Sequence, residues 1–74
     1  MSEESEITFM QIRLLRLASE RWNFPLEKII DIFKKTGVFG YIEAGYGIFH
    51  CEGDEAVLDD VTQFVRRKGI SVNA

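Results

Sequence analysis

The chain has 74 residues, 46% of them apolar, and its twelve acidic and nine basic side chains leave a net charge of −3. That length fits one domain burying roughly 60% of its unfolded surface, and the apolar content takes it out of the disordered class. The acidic balance disfavours phosphate backbones and anionic lipid as partners, while a single Cys excludes an intrachain disulfide and a one-chain structural zinc site.

The N-terminus, MSEESE, is acidic where a secretory leader is basic and then apolar, and no apolar run approaches the ~20 residues of a membrane span. A cytoplasmic location is therefore expected. Residues 1–4 are expected to fray, residues 5–69 to form a single helical domain, and residues 70–74 to form a tail. From Ser5 to Trp22 the apolar residues Ile7, Met10, Leu14, Leu15, Leu17, Ala18 and Trp22 recur at three- and four-residue steps, which predicts a first helix with one wide apolar face. Glu3, Glu4 and Glu6 suit the positive end of its dipole. Phe9 and Ile12 project away from that face, among Arg13, Arg16 and Glu20. Such a pair edged by arginines is a candidate partner-binding surface; the alternative is that the last helix or the Ile70–Val72 tail packs over it.

Pro25 suits a first helical turn and needs no donor there, so a second helix is expected beside it with Asn23 as its cap. Leu26, Ile29, Ile30 and Phe33 make its apolar stripe, and Asp31 with Lys35 forms an i,i+4 pair. Gly37 reads as a left-handed C-terminal cap. Over Val38 to Cys51, a helix would put Val38, Tyr41, Ile42, Gly45, Ile48 and Phe49 on one face, with Phe39 and Tyr46 at its margin. Gly40, Gly45 and Gly47 each weaken a helix by about 1 kcal/mol against Ala, and a hairpin over residues 41–49 is the competing possibility. Past Gly53, Val57, Leu58, Val61, Phe64 and Val65 form the clean face of a last helix, opened by Asp54 and Glu55 and closed by Arg66, Arg67, Lys68 and Gly69. Ile70 and Val72 either pack back on the core, extend, or meet a second chain.

These elements, with Gly37-Val38, Tyr41-Ile42, Tyr46-Gly47-Ile48-Phe49-His50, Gly53 and Asp60-Val61-Thr62-Gln63-Phe64 in order, resemble the small bacterial domain-of-unknown-function family 3791. The resemblance spans roughly Ile7 to Gly69. Phe49 and Cys51 stand where the family pattern has Leu and Thr. The resemblance implies a small helical protein without an established activity, often encoded near an ADP-ribosyltransferase-like family, and hence an antitoxin-like or accessory binding role.

His50 and Cys51 are the residues nearest to a nucleophile and its base, but neighbours on a helix diverge by ~100° and do not face each other. A capping His50 and a semi-buried Cys51 are the simpler expectation. No second His completes a metal site with Cys51, Glu52 and Asp54, and no glycine spacing matches a phosphate loop. The second and third helices could be read as a DNA-binding helix-turn-helix, yet Val38 to Glu52 carries no Lys or Arg; Lys34, Lys35, Arg66 and Arg67 would have to bind phosphate from outside it.

The sequence thus predicts an all-α, compact four-helix domain with the third helix central and a core of Leu14, Leu17, Ile30, Phe33, Ile42, Phe49, Val61 and Phe64. The function it favours is non-enzymatic protein interaction, with no cofactor, through Phe9, Ile12, Arg13 and Arg16. The partner would be toxin-like or a second copy; a DNA-binding regulator is the alternative.

Overall fold

Ser2 starts the molecule's first helix: its extended backbone lets the side-chain oxygen accept the Ser5 N–H at 3.2 Å, satisfying one of the donors a helix start leaves open. The structure, a computed structural model, describes residues 2–73, so Met1 and Ala74 of the expected frayed start and tail lie outside it. Helix α1 spans Glu3–Trp22, and Glu3 and Glu4 are therefore helical rather than frayed. Asn23 ends this helix instead of capping the next. It sits in the left-handed region at φ 59° and donates its backbone N–H to the Ser19 carbonyl, a conformation Asn tolerates better than most side chains.

Helix α2 (Leu26–Thr36) follows Pro25, whose φ of −64° is set by its ring. Gly37 then serves two helices at once. At φ 81° it donates to the Phe33 carbonyl at 3.1 Å to close α2, and its own carbonyl accepts from Tyr41 N at 3.0 Å to open α3 (Val38–Phe49). The hairpin alternative at residues 41–49 is overturned: that segment is helical, and no strand occurs among the described residues. Helix α4 (Asp54–Arg67) ends in a turn where Gly69, at φ 92°, lets Ile70 N reach back to the Val65 carbonyl.

Every helix touches the other three, α3 included, with α1 lying most extensively against α2 and α4. The enclosed core is built on Leu14, Ala18, Trp22, Ile29, Phe33, Val38, Ile42, Val57, Leu58, Val61 and Val65. Each large side chain removed from water there stabilises the fold by about 1.5–3 kcal/mol before entropy is counted. Trp22 meets Phe33 edge-on at 6.2 Å. Of the expected core, Leu14, Phe33, Ile42, Phe49 and Val61 are buried, while Leu17, Ile30 and Phe64 are half-buried and Ile32 takes the inward place on α2. Ile48 is 72% exposed, because the buried arc of α3 is centred on Val38, Ile42 and Phe49 and Ile48 lies off its edge. The tail packs back at the Trp22 end: Val72 is buried, Arg66 Nη2 donates to its carbonyl at 3.0 Å, and Asn73 Nδ2 donates to the Trp22 carbonyl at 3.0 Å. Among the described residues no helix is long and apolar enough to cross a membrane.

Candidate protein-docking surface

The outer side of α1 carries apolar surface that the fold leaves uncovered. Phe9 is 47% exposed and Ile12 40%, three residues apart and so stacked on one side of the helix. Both candidates for covering them go elsewhere. Helix α4 meets the flank of α1 through ion pairs: Arg13 Nε lies 2.8 Å from Asp54 Oδ2, and Arg21 forks between Glu55 and Asp59, its Nη1 2.6 Å from Asp59 Oδ1. The tail is occupied with Trp22.

Phe9 forms a ridge between two depressions. One is lined by Glu4, Ser5 and Thr8. The other, a cleft of about 330 Å³ between α1 and the end of α3, is lined by Glu6, Met10, Arg13, Tyr46, His50, Glu52 and Asp54. Within it Arg13 is held by Asp54 in a two-pronged contact, Nη2 to Oδ1 at 3.4 Å beside the shorter Nε bond. The hydrogen bond to Asp54 outweighs partial burial and raises the guanidinium above its ordinary range. Desolvation and the nearby Glu6 likewise hold the Tyr46 phenol above its usual value. Of the four residues predicted for docking, Phe9, Ile12 and Arg16 are exposed, Arg16 forming no side-chain hydrogen bond or ion pair among the described residues, whereas Arg13 is engaged within the chain. Arg16 borders a second groove with Leu17, Glu20 and Glu55, and beyond it lies Leu26, 45% exposed.

His50 and Cys51 correct the expectation that they diverge. They lie past the end of α3, in a turn where helical spacing no longer applies, and Cys51 Sγ is 3.6 Å from His50 Nε2. His50 Nδ1 is 2.8 Å from the Tyr46 carbonyl, which accepts only, so Nδ1 donates there and Nε2 is the ring nitrogen that faces the thiol. Tyr46 stacks on the imidazole at 5.1 Å. His50 thus caps α3 as expected, but Cys51 is exposed rather than semi-buried. The imidazole is oriented by a neutral carbonyl, so the pair has the thiol and base of a nucleophilic set with a main-chain group in the orienting place. Among the described residues no three His, Cys, Asp or Glu side chains converge to hold a metal.

For a DNA-reading role, α2 and α3 are joined by Gly37 alone, and two of the four cations expected to meet phosphate are engaged: Lys35 with Asp31 at 2.9 Å and Arg66 with the tail. Sequence reasoning missed the α1–α4 clamp because its partners lie 41, 34 and 38 residues apart. It also missed the grouping of Glu6, Tyr46 and Glu52, for which no local pattern signals.

Compared with known families, residues 9–68 match the one described as "Protein of unknown function (DUF3791)". No curated protein and no solved structure matches.

Proposed function

The chain belongs to that family of unknown function, and from this premise we propose that it works by binding: it is a non-enzymatic module that docks another protein through the outer face of α1. One observation carries the proposal. In a domain that encloses Leu14, Ala18 and Trp22 completely, Phe9 and Ile12 stand partly exposed side by side, where covering the rest would be favourable by about 25 cal/mol per Å² of apolar surface. Arg16 is free to contact the partner, and Arg13 and Asp54 form a prepared polar rim. The resemblance to proteins encoded near ADP-ribosyltransferase-like enzymes gives the partner its proposed class, toxin-like, with the chain as antitoxin or accessory.

The test is a tagged capture from the native host, using Phe9→Asp/Ile12→Asp as control after circular dichroism confirms its fold. A protein retained by the wild type and lost by the folded variant supports the proposal. Equal retention, or none by either, overturns it. A DNA-binding role would show instead as an affinity that falls steeply with salt and with neutralisation of Lys34, Lys35, Arg66 and Arg67.

A further inference from the structure

The charges around Phe9 narrow what the partner presents. Glu4 lies in one flanking depression; Glu6, Glu52 and Asp54 lie in the other. Against these four carboxylates the two depressions offer one guanidinium, Arg13, which Asp54 already holds, and one imidazole, His50, whose Nδ1 proton is directed to the Tyr46 carbonyl. Glu4, Glu6 and Glu52 form no ion pair with a described cation. The same cleft is lined by the Phe9 and Tyr46 rings, one face of Tyr46 being taken by His50. Farther along α1 the sign reverses: Arg16, roughly 15 Å from Glu6 at 1.5 Å per residue, is without a described acidic partner.

Resting on the reading of α1 as the docking face, we infer that its occupant is an amphipathic helix with a basic end, seated apolar side down on Phe9 and Ile12, with a Lys or Arg entering the cleft between Glu6 and Glu52. Two apolar anchors one turn apart are the match for side chains at i and i+3 or i+4 of a partner helix. The opposed charges at Glu6 and Arg16 give that helix a direction, its basic end over the first turns of α1 and an acidic side chain toward Arg16. The chain's overall net charge of −3 steers the same kind of partner at longer range.

The probe is a synthetic helix of about 18 residues with leucines at helical spacing and lysines elsewhere, compared with the same peptide carrying glutamates for lysines. Both are titrated into the ¹⁵N-labelled full chain and followed by amide shifts and by anisotropy. The basic peptide is expected to shift amides around Phe9, Ile12, Glu6, His50 and Glu52, and the acidic one to leave them unmoved. Glu6→Lys/Glu52→Lys should weaken binding about tenfold or more, the scale of charged pairs lost from an interface. Glu27→Lys/Glu43→Lys, with the same change of net charge on other helices, should stay within about twofold, which separates this cleft from general acidity. Shifts elsewhere, equal loss in the two charge-reversed variants, binding of the acidic peptide, or no binding of either peptide overturns the inference. So does self-association of the free chain that Phe9→Asp abolishes, since a second copy would then be the occupant. If the host capture depends on Phe9 and Ile12 but the captured protein docks through an acidic segment, this inference fails while the docking reading stands; if the capture is independent of them, both fail.

Discussion

Helix α1 has two apolar faces with opposite fates. Inward, Met10, Leu14, Ala18 and Trp22 follow one another at four-residue steps and are closed over by α2, α3 and α4. Outward, Phe9 and Ile12 carry side chains just as apolar but stay 47% and 40% exposed. Composition does not separate them; position does, because α4 is held against the flank of α1 by Arg13–Asp54 and Arg21–Glu55/Asp59 rather than over its outer side. An inward residue on such a helix answers to stability, and an outward one is where the proposed docking is to be tested.

The comparison breaks first at the inner face. Leu14→Ala should cost about 2–5 kcal/mol in urea unfolding followed by the fluorescence of Trp22, the only tryptophan; a loss under about 1 kcal/mol would mean that the enclosed core is not what holds α1 in place. The next largest effect is expected in α3. A Cβ on Gly45 would come within 2.5 Å of the Phe49 ring, which itself packs on Tyr41 at 5.4 Å, so Gly45→Ala should destabilise by about 1–3 kcal/mol. Gly40→Ala and Gly47→Ala meet open space and should stabilise by about 0.5–1 kcal/mol through helix propensity. If all three glycines behaved alike in thermal melts, the packing role of Gly45 would be wrong.

Tyr41 sharpens the contrast through pH. Burial, seconded by Asp60, raises its phenol above the ordinary value of 10.0, so the folded protein holds a proton that the unfolded chain releases. Its contribution is fully present below pH 10.0 and is lost as pH rises from there through the folded value. Unfolding free energies at pH 8 and pH 10.5 should accordingly fall less in Tyr41→Phe than in the wild type, and an equal fall would remove Tyr41 from the account. The smallest effect is expected on the outer face, where Phe9→Asp/Ile12→Asp should change stability by only about 0.5 kcal/mol. A loss as large as that of Leu14→Ala would make those residues part of the core.

How much of this was legible depended on whether the signal was local. Helix α4 and the Gly37 stop could be read because periodicity and a single left-handed residue lie within one stretch of chain. The all-α fold followed once α3 proved helical, and there local chemistry was ambiguous: the glycines argued for a turn, while the face shared by Val38, Tyr41, Ile42 and Phe49 argued for a helix. Asn23 was assigned to the wrong helix because a polar residue between two helices satisfies either end. The outer pair Phe9 and Ile12 was legible as a departure from period, but Arg13 looked equally free until α4 placed Asp54 beside it across 41 residues of sequence. The His50–Cys51 contact was hidden because helical angles were applied to residues beyond the helix end.

The central claim is that the outer face of α1 exists for a partner. Its most direct test is the capture from the native host by wild type and by Phe9→Asp/Ile12→Asp, with the stability of both measured in the same preparation. The account predicts a specific partner retained by the wild type and lost by a variant that is folded and within about 0.5 kcal/mol of the wild type. Retention of the same partner by that variant would contradict it.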